Sequence, residues 1–199
     1  VDIGMKKNAF IHYWDMIPED AARLEAEEGV QSRNRNKPRK KRYDPGEMSK
    51  RFKIGDQIIV QVSKDAIGTK GPRVTANLSI PGRFLVMMPG CKLKGVSRKI
   101  GDAKERQRLK KVLSRLPVPE GLGFIMRTAG AGARKTAFAR DLRVLIETWK
   151  DVEDGIENSP APCRLYSEPD LVERVVRDAV TDEVDRILID NRERYDATK

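Results

Sequence analysis

Aromatic residues make up only 6% of this 199-residue chain, so any surface that stacks bases or rings must be small. Histidine occurs once, at His12, and cysteine twice, at Cys91 and Cys163. The two cysteines form no CxxC pair, and one histidine cannot complete a zinc site with them. Both thiols are expected to be buried, in a reducing compartment. No run of about 18 apolar residues is present, so no transmembrane helix is expected. The first residues carry no basic stretch followed by an apolar one, so no signal peptide is expected in them. Val1-Asp2-Ile3-Gly4 opens the chain without a methionine. It reads as the middle of a domain, and a fragment of a longer protein is expected.

Positive charge is what the chain has in excess. Lys and Arg number 40 against 30 acids, a net charge of +10. A basic chain favours polyanion partners, nucleic acid first among them, although ribosome or membrane-surface association fits the same balance. Hydrophobic residues reach 39%, enough for a core in one large or two small domains.

The front of the chain reads as β structure, over residues 1–14 and 52–80. Gln57–Ser63 is rich in β-branched residues, and Val74–Ser79 is expected to form the second strand of a pair across the turn at Ile67 to Pro72. Residues 18–50 interrupt this region with no core pattern. They begin acidic, with a short helix expected over Pro18–Glu28, and turn basic from Arg33 to Arg42. The basic part reads either as a solvated loop or as an arm touching phosphates without sequence preference. From residue 81 the pattern is mixed α/β. Arg83–Met88 reads as a strand buried on both faces, and Gly95–Ile100 as a second, short strand. A helix is expected over 103–116, opened by Asp102, with Leu109, Val112, Leu113 and Leu116 on one face. The strand Phe124–Thr128 follows. A long helix over Ala137–Asn158 carries an apolar stripe of Phe138, Leu142, Leu145, Ile146, Trp149 and Val152. Another helix around Leu171–Val180 and a final buried strand, Arg186–Asp190, complete an open mixed sheet covered by helices.

Chemistry concentrates in Gly123-Phe-Ile-Met-Arg-Thr-Ala-Gly130. A short apolar strand delivers Arg127 and Thr128 into a turn of small residues. Arg127 brings a planar fork of donors and a permanent charge, Thr128 a hydroxyl, and the glycines allow close backbone approach. Such a turn can cradle a phosphate or carboxylate ligand. Equally, Arg127 can cap a neighbouring carboxylate of the chain itself.

Several blocks in order resemble the ribonuclease E/G family of bacterial endoribonucleases. They are Val1–Gly4 with Ala9–Ile11, Gly55–Val62, Lys64 with Gly68–Gly71, Pro81–Pro89 and Gly95–Ile100. Leu116 with Pro119–Gly121 and Gly123, Arg127–Gly130 and Ile187–Asn191 complete the set. The resemblance implies a β and α/β architecture: a partial OB-type S1 barrel over 1–80, carrying the charged insertion, then a ribonuclease-H-like mixed α/β domain over 81–199. It implies that the second domain senses the 5′ monophosphate of single-stranded RNA, with Arg127 and Thr128 on the phosphate. Gly82 would permit close approach, and Val86 would pack on the first nucleotide. On the S1 face it implies RNA contact by Phe10, through stacking, and by Lys70; from the residues alone, Phe10 is equally a core residue. Arg98 and Lys99 match a basic pair beside the sensor, and otherwise read as surface cations on a strand. His12 and Trp14 would extend the S1 surface.

The resemblance also implies a cytoplasmic, homo-oligomeric parent that hydrolyses RNA with magnesium. The magnesium aspartates and a paired-cysteine zinc link would lie outside this chain. Asp185, Asp190 and Asp196 are therefore given no catalytic role. Asp190 reads as a strand end and Asp196 as part of a frayed tail. The competing reading is a stand-alone, non-catalytic S1-type RNA-binding module. A third, an independent ribonuclease-H-like enzyme, needs carboxylates converging at strand ends, where this chain mostly presents Arg, Lys and Thr.

Overall fold

A computed structural model describes residues 1–17, 45–180 and 184–198. The expected Pro18–Glu28 helix and the basic run from Arg33 to Arg42 lie outside the described residues. The architecture is mixed α/β, with two mixed sheets.

The first sheet has the order β1-β3-β2, formed by β1 (Phe10–Ile11), β2 (Gln61–Lys64) and β3 (Arg73–Thr75). β1 runs parallel to β3, with Phe10 opposite Arg73, and β2 runs antiparallel to it. Among the described residues this sheet does not close into a barrel. Its strands are shorter than expected for identifiable reasons. Past Thr75 the ladder is replaced by side chains: Asn77 N–H donates to the Thr75 hydroxyl, and Gln61 takes both backbone groups of Ser79, at 2.7 and 3.0 Å. Gln57–Val60 is outside any regular element. Gly71 lets the chain pass close beside the Asn8 carbonyl, where a Cβ would come within 2.2 Å of the oxygen.

One helix was not anticipated. α1 (Pro45–Arg51) places Met48 at 5% exposure within the stretch read as coreless. Its signal was Pro45, whose fixed φ suits a first helical position.

The second sheet has the order β4-β5-β7-β6, with β4 (Ile80–Pro81), β5 (Leu85–Pro89), β6 (Lys94–Val96) and β7 (Leu122–Met126). β5 is antiparallel to both β4 and β7; β6 is parallel to β7. A parallel pair needs a crossover, and α2 (Ala103–Ser114) supplies it. Asp102 caps α2, its carboxylate accepting from Lys104 N–H at 2.9 Å. The long helix α3 (Lys135–Asn158) lies on the same face of the sheet.

Between sheet and helices sits one core. It joins Leu85, Met87, Phe124 and Met126 from the strands to Leu109 and Leu113 of α2 and to Phe138, Leu142 and Leu145 of α3. Ile146 and Trp149 are partly buried at its margin. The opposite face holds a small cluster of Met88, Cys91 and Leu93, with Ile125 against it. Gly123 is required here, because a Cβ would meet the backbone of Cys91 and Leu93 at 2.9–3.1 Å.

Two further helices, α4 (Leu171–Ala179) and α5 (Arg192–Thr198), complete the described elements. The apolar run Arg186–Asp190 is not a strand. Ile187 and Leu188 are exposed, and no strand among the described residues pairs with them. Apolar content alone does not form a strand without a neighbour to take its N–H and C=O groups. Asp190 is thus no strand end, and Asp196 lies in α5, paired with Arg192 at 3.0 Å. Cys91 is buried but Cys163 is exposed, and both are free thiols.

Candidate functional site

The register of the second sheet gathers the sequence-derived residues at one end. β5 begins where β7 ends, with Leu85 opposite Met126, and β6 ends beside the same residue, with Val96 opposite Met126. Three segments therefore meet there: the β4–β5 turn with Gly82, the turn carrying Arg98 and Lys99 after β6, and Arg127–Gly130 after β7. Backbone bonds tie them together. Arg127 N–H donates to the Phe84 carbonyl at 2.8 Å, and Ser97 N–H to the Met126 carbonyl at 2.8 Å. The expected strand at 95–100 stops at Val96. Ile100 N–H turns back to the Ser97 carbonyl, and Arg106 of α2 donates to the same oxygen. Arg98 and Lys99 thus sit on a turn rather than a strand.

Thr128 opens a single 3-10 turn, Thr128–Gly130, instead of ending the strand. Its side chain is exposed. Gly130 is buried against Phe138, whose ring a Cβ would meet at 2.8 Å. Val86 stands opposite Ile125 and next to Pro81, on the sheet face away from the main core. It is half-buried, so part of it remains available at the sheet surface.

Two carboxylates absent from the sequence reading organise this end. Asp141 of α3 reaches into the β4–β5 turn and accepts from the backbone N–H groups of Arg83, Phe84 and Leu85 at 2.8–2.9 Å. Three successive N–H groups converging on one anion make a nest, and in this chain Asp141 fills it. The close approach that Gly82 permits is to this carboxylate, which a Cβ would meet at 2.7 Å. A signal for Asp141 did exist: it lies within the apolar stripe, three residues after Phe138 and four before Leu145.

Asp178 of α4 is the second. Arg127 donates to it through both terminal nitrogens, at 2.9 and 3.2 Å, and Nη1 also donates to the Gly82 carbonyl. Arg177 grips the same carboxylate at 3.1 and 3.2 Å and donates to the Pro81 carbonyl at 2.9 Å. Arg127 therefore does cap a carboxylate of its own chain. Among the described residues these bonds use three of its five N–H donors. The Arg127 side chain is 29% exposed.

Hydrogen bonds from Arg177 and then Arg127 hold the Asp178 carboxyl at a pKa of about 2. Beyond Thr128, Glu105 of α2 accepts from Arg108 at 2.6 and 2.7 Å and from Gly132 N–H at 2.8 Å. These bonds, that from Arg108 foremost, bring Glu105 to about 2 as well. Both values lie below the ordinary 3.8 and 4.5. Stability from such groups is present above the ordinary values and is lost as pH falls toward the depressed ones. The thermal midpoint should accordingly fall between pH about 4.5 and about 2, and the fall should be shallower in Asp178→Asn and Glu105→Gln. Melting curves across that window test this.

On the first sheet, Phe10 is 58% exposed, which decides against a core role. Its ring meets His12 edge-on at 5.7 Å, and His12 stacks on Trp14. Lys70 is exposed at the turn that leads into β3, where it bridges to Ile67. Phe10 N–H bonds the Pro72 carbonyl on the same approach. An exposed ring can stack a base, and an exposed lysine can hold a phosphate.

Among the described residues, no group of three or more His, Cys, Asp or Glu side chains could hold a metal. Also among the described residues, no helix is long and apolar enough to cross a membrane.

Comparison with known proteins decides the family. The model of the ribonuclease E/G family matches residues 79–199, more than half of the chain. The chain belongs to the ribonuclease E/G family. Its relatives include ribonuclease G of Escherichia coli K12, 36% identical over 197 residues, covering 99% of this chain and 38% of that protein. The putative ribonuclease E of Buchnera aphidicola is 34% identical over 194 residues, 97% of this chain and 43% of that one. Ribonuclease E of Haemophilus influenzae is 38% identical over 146 residues, 73% and 16% respectively. This ribonuclease E/G family chain thus spans less than half the length of these curated relatives.

Proposed function

We propose that this chain is the RNA-binding, 5′-end-sensing part of a cytoplasmic endoribonuclease that acts in RNA processing and decay. The reading divides it into an S1-type segment over 1–80 and a ribonuclease-H-like sensor domain over 81–199. Family membership supports a ribonuclease parent. The observation that carries the sensor reading is the convergence of Gly82, Arg127 and Thr128, with Arg98 and Lys99, at one end of the second sheet. An arginine fork and an exposed hydroxyl distinguish a charged 5′ phosphate from a neutral 5′ hydroxyl. Val86 would meet the first nucleotide, and Phe10 and Lys70 would hold RNA further along. Magnesium-dependent hydrolysis belongs, on this reading, to residues outside this chain, as do the contacts of a homo-oligomeric parent.

The test is the affinity of this chain for one short unstructured RNA carrying either a 5′ monophosphate or a 5′ hydroxyl. Salt must be fixed, because backbone contacts weaken as salt rises. The monophosphate form is expected to bind more tightly. Equal affinities would reject the sensor and leave a non-catalytic, S1-type RNA-binding module.

A further inference from the structure

Asp178 sits where a ligand anion would. Its two oxygens receive the end-on fork of Arg127 and a second pair of donors from Arg177. Glu168 lies 3.7 Å from Arg177 and 3.9 Å from Arg174, so the Arg127 fork is compensated by Asp178 before any phosphate arrives.

The element carrying Asp178 is held lightly. α4 has no buried residue, and its Leu171 and Val175 are more than half exposed. It is tied to Arg127, just after β7, through Asp178, and to the Pro81 carbonyl of β4 through Arg177. Val172 and Val176 are only partly buried, so lifting α4 away costs no fully buried side chain, and the ion pairs of Arg127 and Arg177 are what must be replaced. A phosphate dianion supplies that replacement on the same fork, whereas a neutral hydroxyl cannot.

Building on the sensor reading, we infer that Asp178 is an internal competitor for Arg127, displaced together with α4 when a 5′ phosphate binds. It makes the site selective by charge. An anion that compensates Arg127 better than a carboxylate opens the latch, and a neutral 5′ end leaves it shut. Phosphate arrival is thereby coupled to release of α4, the element that leads into the C-terminal residues.

The experiment compares the full chain with Asp178→Asn, using the 5′-monophosphate RNA and its 5′-hydroxyl twin, while hydrogen exchange follows the α4 amides. Asp178→Asn is expected to tighten monophosphate binding by about tenfold, a typical coupling between two sites, and to leave hydroxyl binding unchanged. In the unmodified chain the monophosphate RNA should speed exchange in α4, and the hydroxyl RNA should not. Arg177→Gln keeps Arg127 and Asp178 but removes the second grip, and should give a smaller gain in the same direction. Circular dichroism confirms that each variant is folded.

If the unmodified chain discriminates and Asp178→Asn binds the monophosphate equally or less well, the sensor reading stands and the competitor is overturned. If only Asp178→Asn discriminates, the competitor is supported, and the sensor reading fails for the unmodified chain. Tighter binding without faster α4 exchange overturns displacement. No discrimination in either protein overturns both.

Discussion

Arg127→Ala is expected to erase the preference for a 5′-monophosphate RNA over its 5′-hydroxyl twin. The loss should be about 1–3 kcal/mol, the range of a hydrogen bond to a charged group left unmade. Affinity for the hydroxyl RNA should change little, because contacts by Phe10, Lys70 and the basic turn at Arg98 and Lys99 remain. The variant also frees Asp178 from one of its two partners, so α4 should exchange amide hydrogens faster even without RNA. Arg127→Lys is expected to recover only part of the preference, since an ammonium keeps the charge but not the planar fork. Parallel binding measurements on the two RNAs check the whole set. An Arg127→Ala protein that still favours the monophosphate would place the discriminating contact elsewhere.

Asp141→Ala should be the more damaging change to the fold around the site. It strips the backbone N–H groups of Arg83, Phe84 and Leu85 of their shared acceptor, inside a half-buried turn. Donors left unsatisfied there cost about 3 kcal/mol in total. For a chain of this size that is a fall in Tm of about 9 °C. Asp141→Asn keeps one acceptor oxygen and should cost about half as much. Function should suffer as well. The same turn presents the Gly82 carbonyl that accepts from Arg127, so a loosened turn misplaces the guanidinium. Thermal melting of the two variants, read beside their preference between the two RNAs, checks both parts. A fully stable Asp141→Ala protein would show that the nest is not what holds this turn.

These two residues also mark where sequence reading stops. Arg127 and Thr128 stood out because a charged fork and a hydroxyl follow a short apolar strand and precede glycines. The pairings of Asp141 and Asp178 did not, because each acts on a segment distant in the chain: Asp141 on residues 83–85, Asp178 on Arg127. Only the register of β5 against β7 and the seating of α3 and α4 bring those groups together. The helices α2 and α3 were legible for the opposite reason. Their stripes, from Leu109 to Leu116 and from Phe138 to Val152, repeat at helical spacing, and local periodicity settles the element.

Strand readings fared less evenly. β5 and β7 are central strands in contact with each other, and their apolar runs reported that. Gln57–Ser63 and Val74–Ser79 have strand-like composition but are cut short by side chains, Gln61 above all, that take the place of ladder bonds. Ile187-Leu188-Ile189 is as apolar as β5, yet among the described residues it has no strand to pair with. Composition shows what a segment can bury, and pairing depends on what lies beside it.

The most direct test of the central claim follows the backbone amides of the labelled chain by NMR while a short 5′-monophosphate RNA is added, with its 5′-hydroxyl twin as reference. The account predicts that the two titrations differ at Gly82–Leu85 and at Arg127–Gly130, and agree around Phe10 and Lys70. Identical titrations, or differences confined to the first sheet, would contradict a 5′-phosphate site at the end of β7.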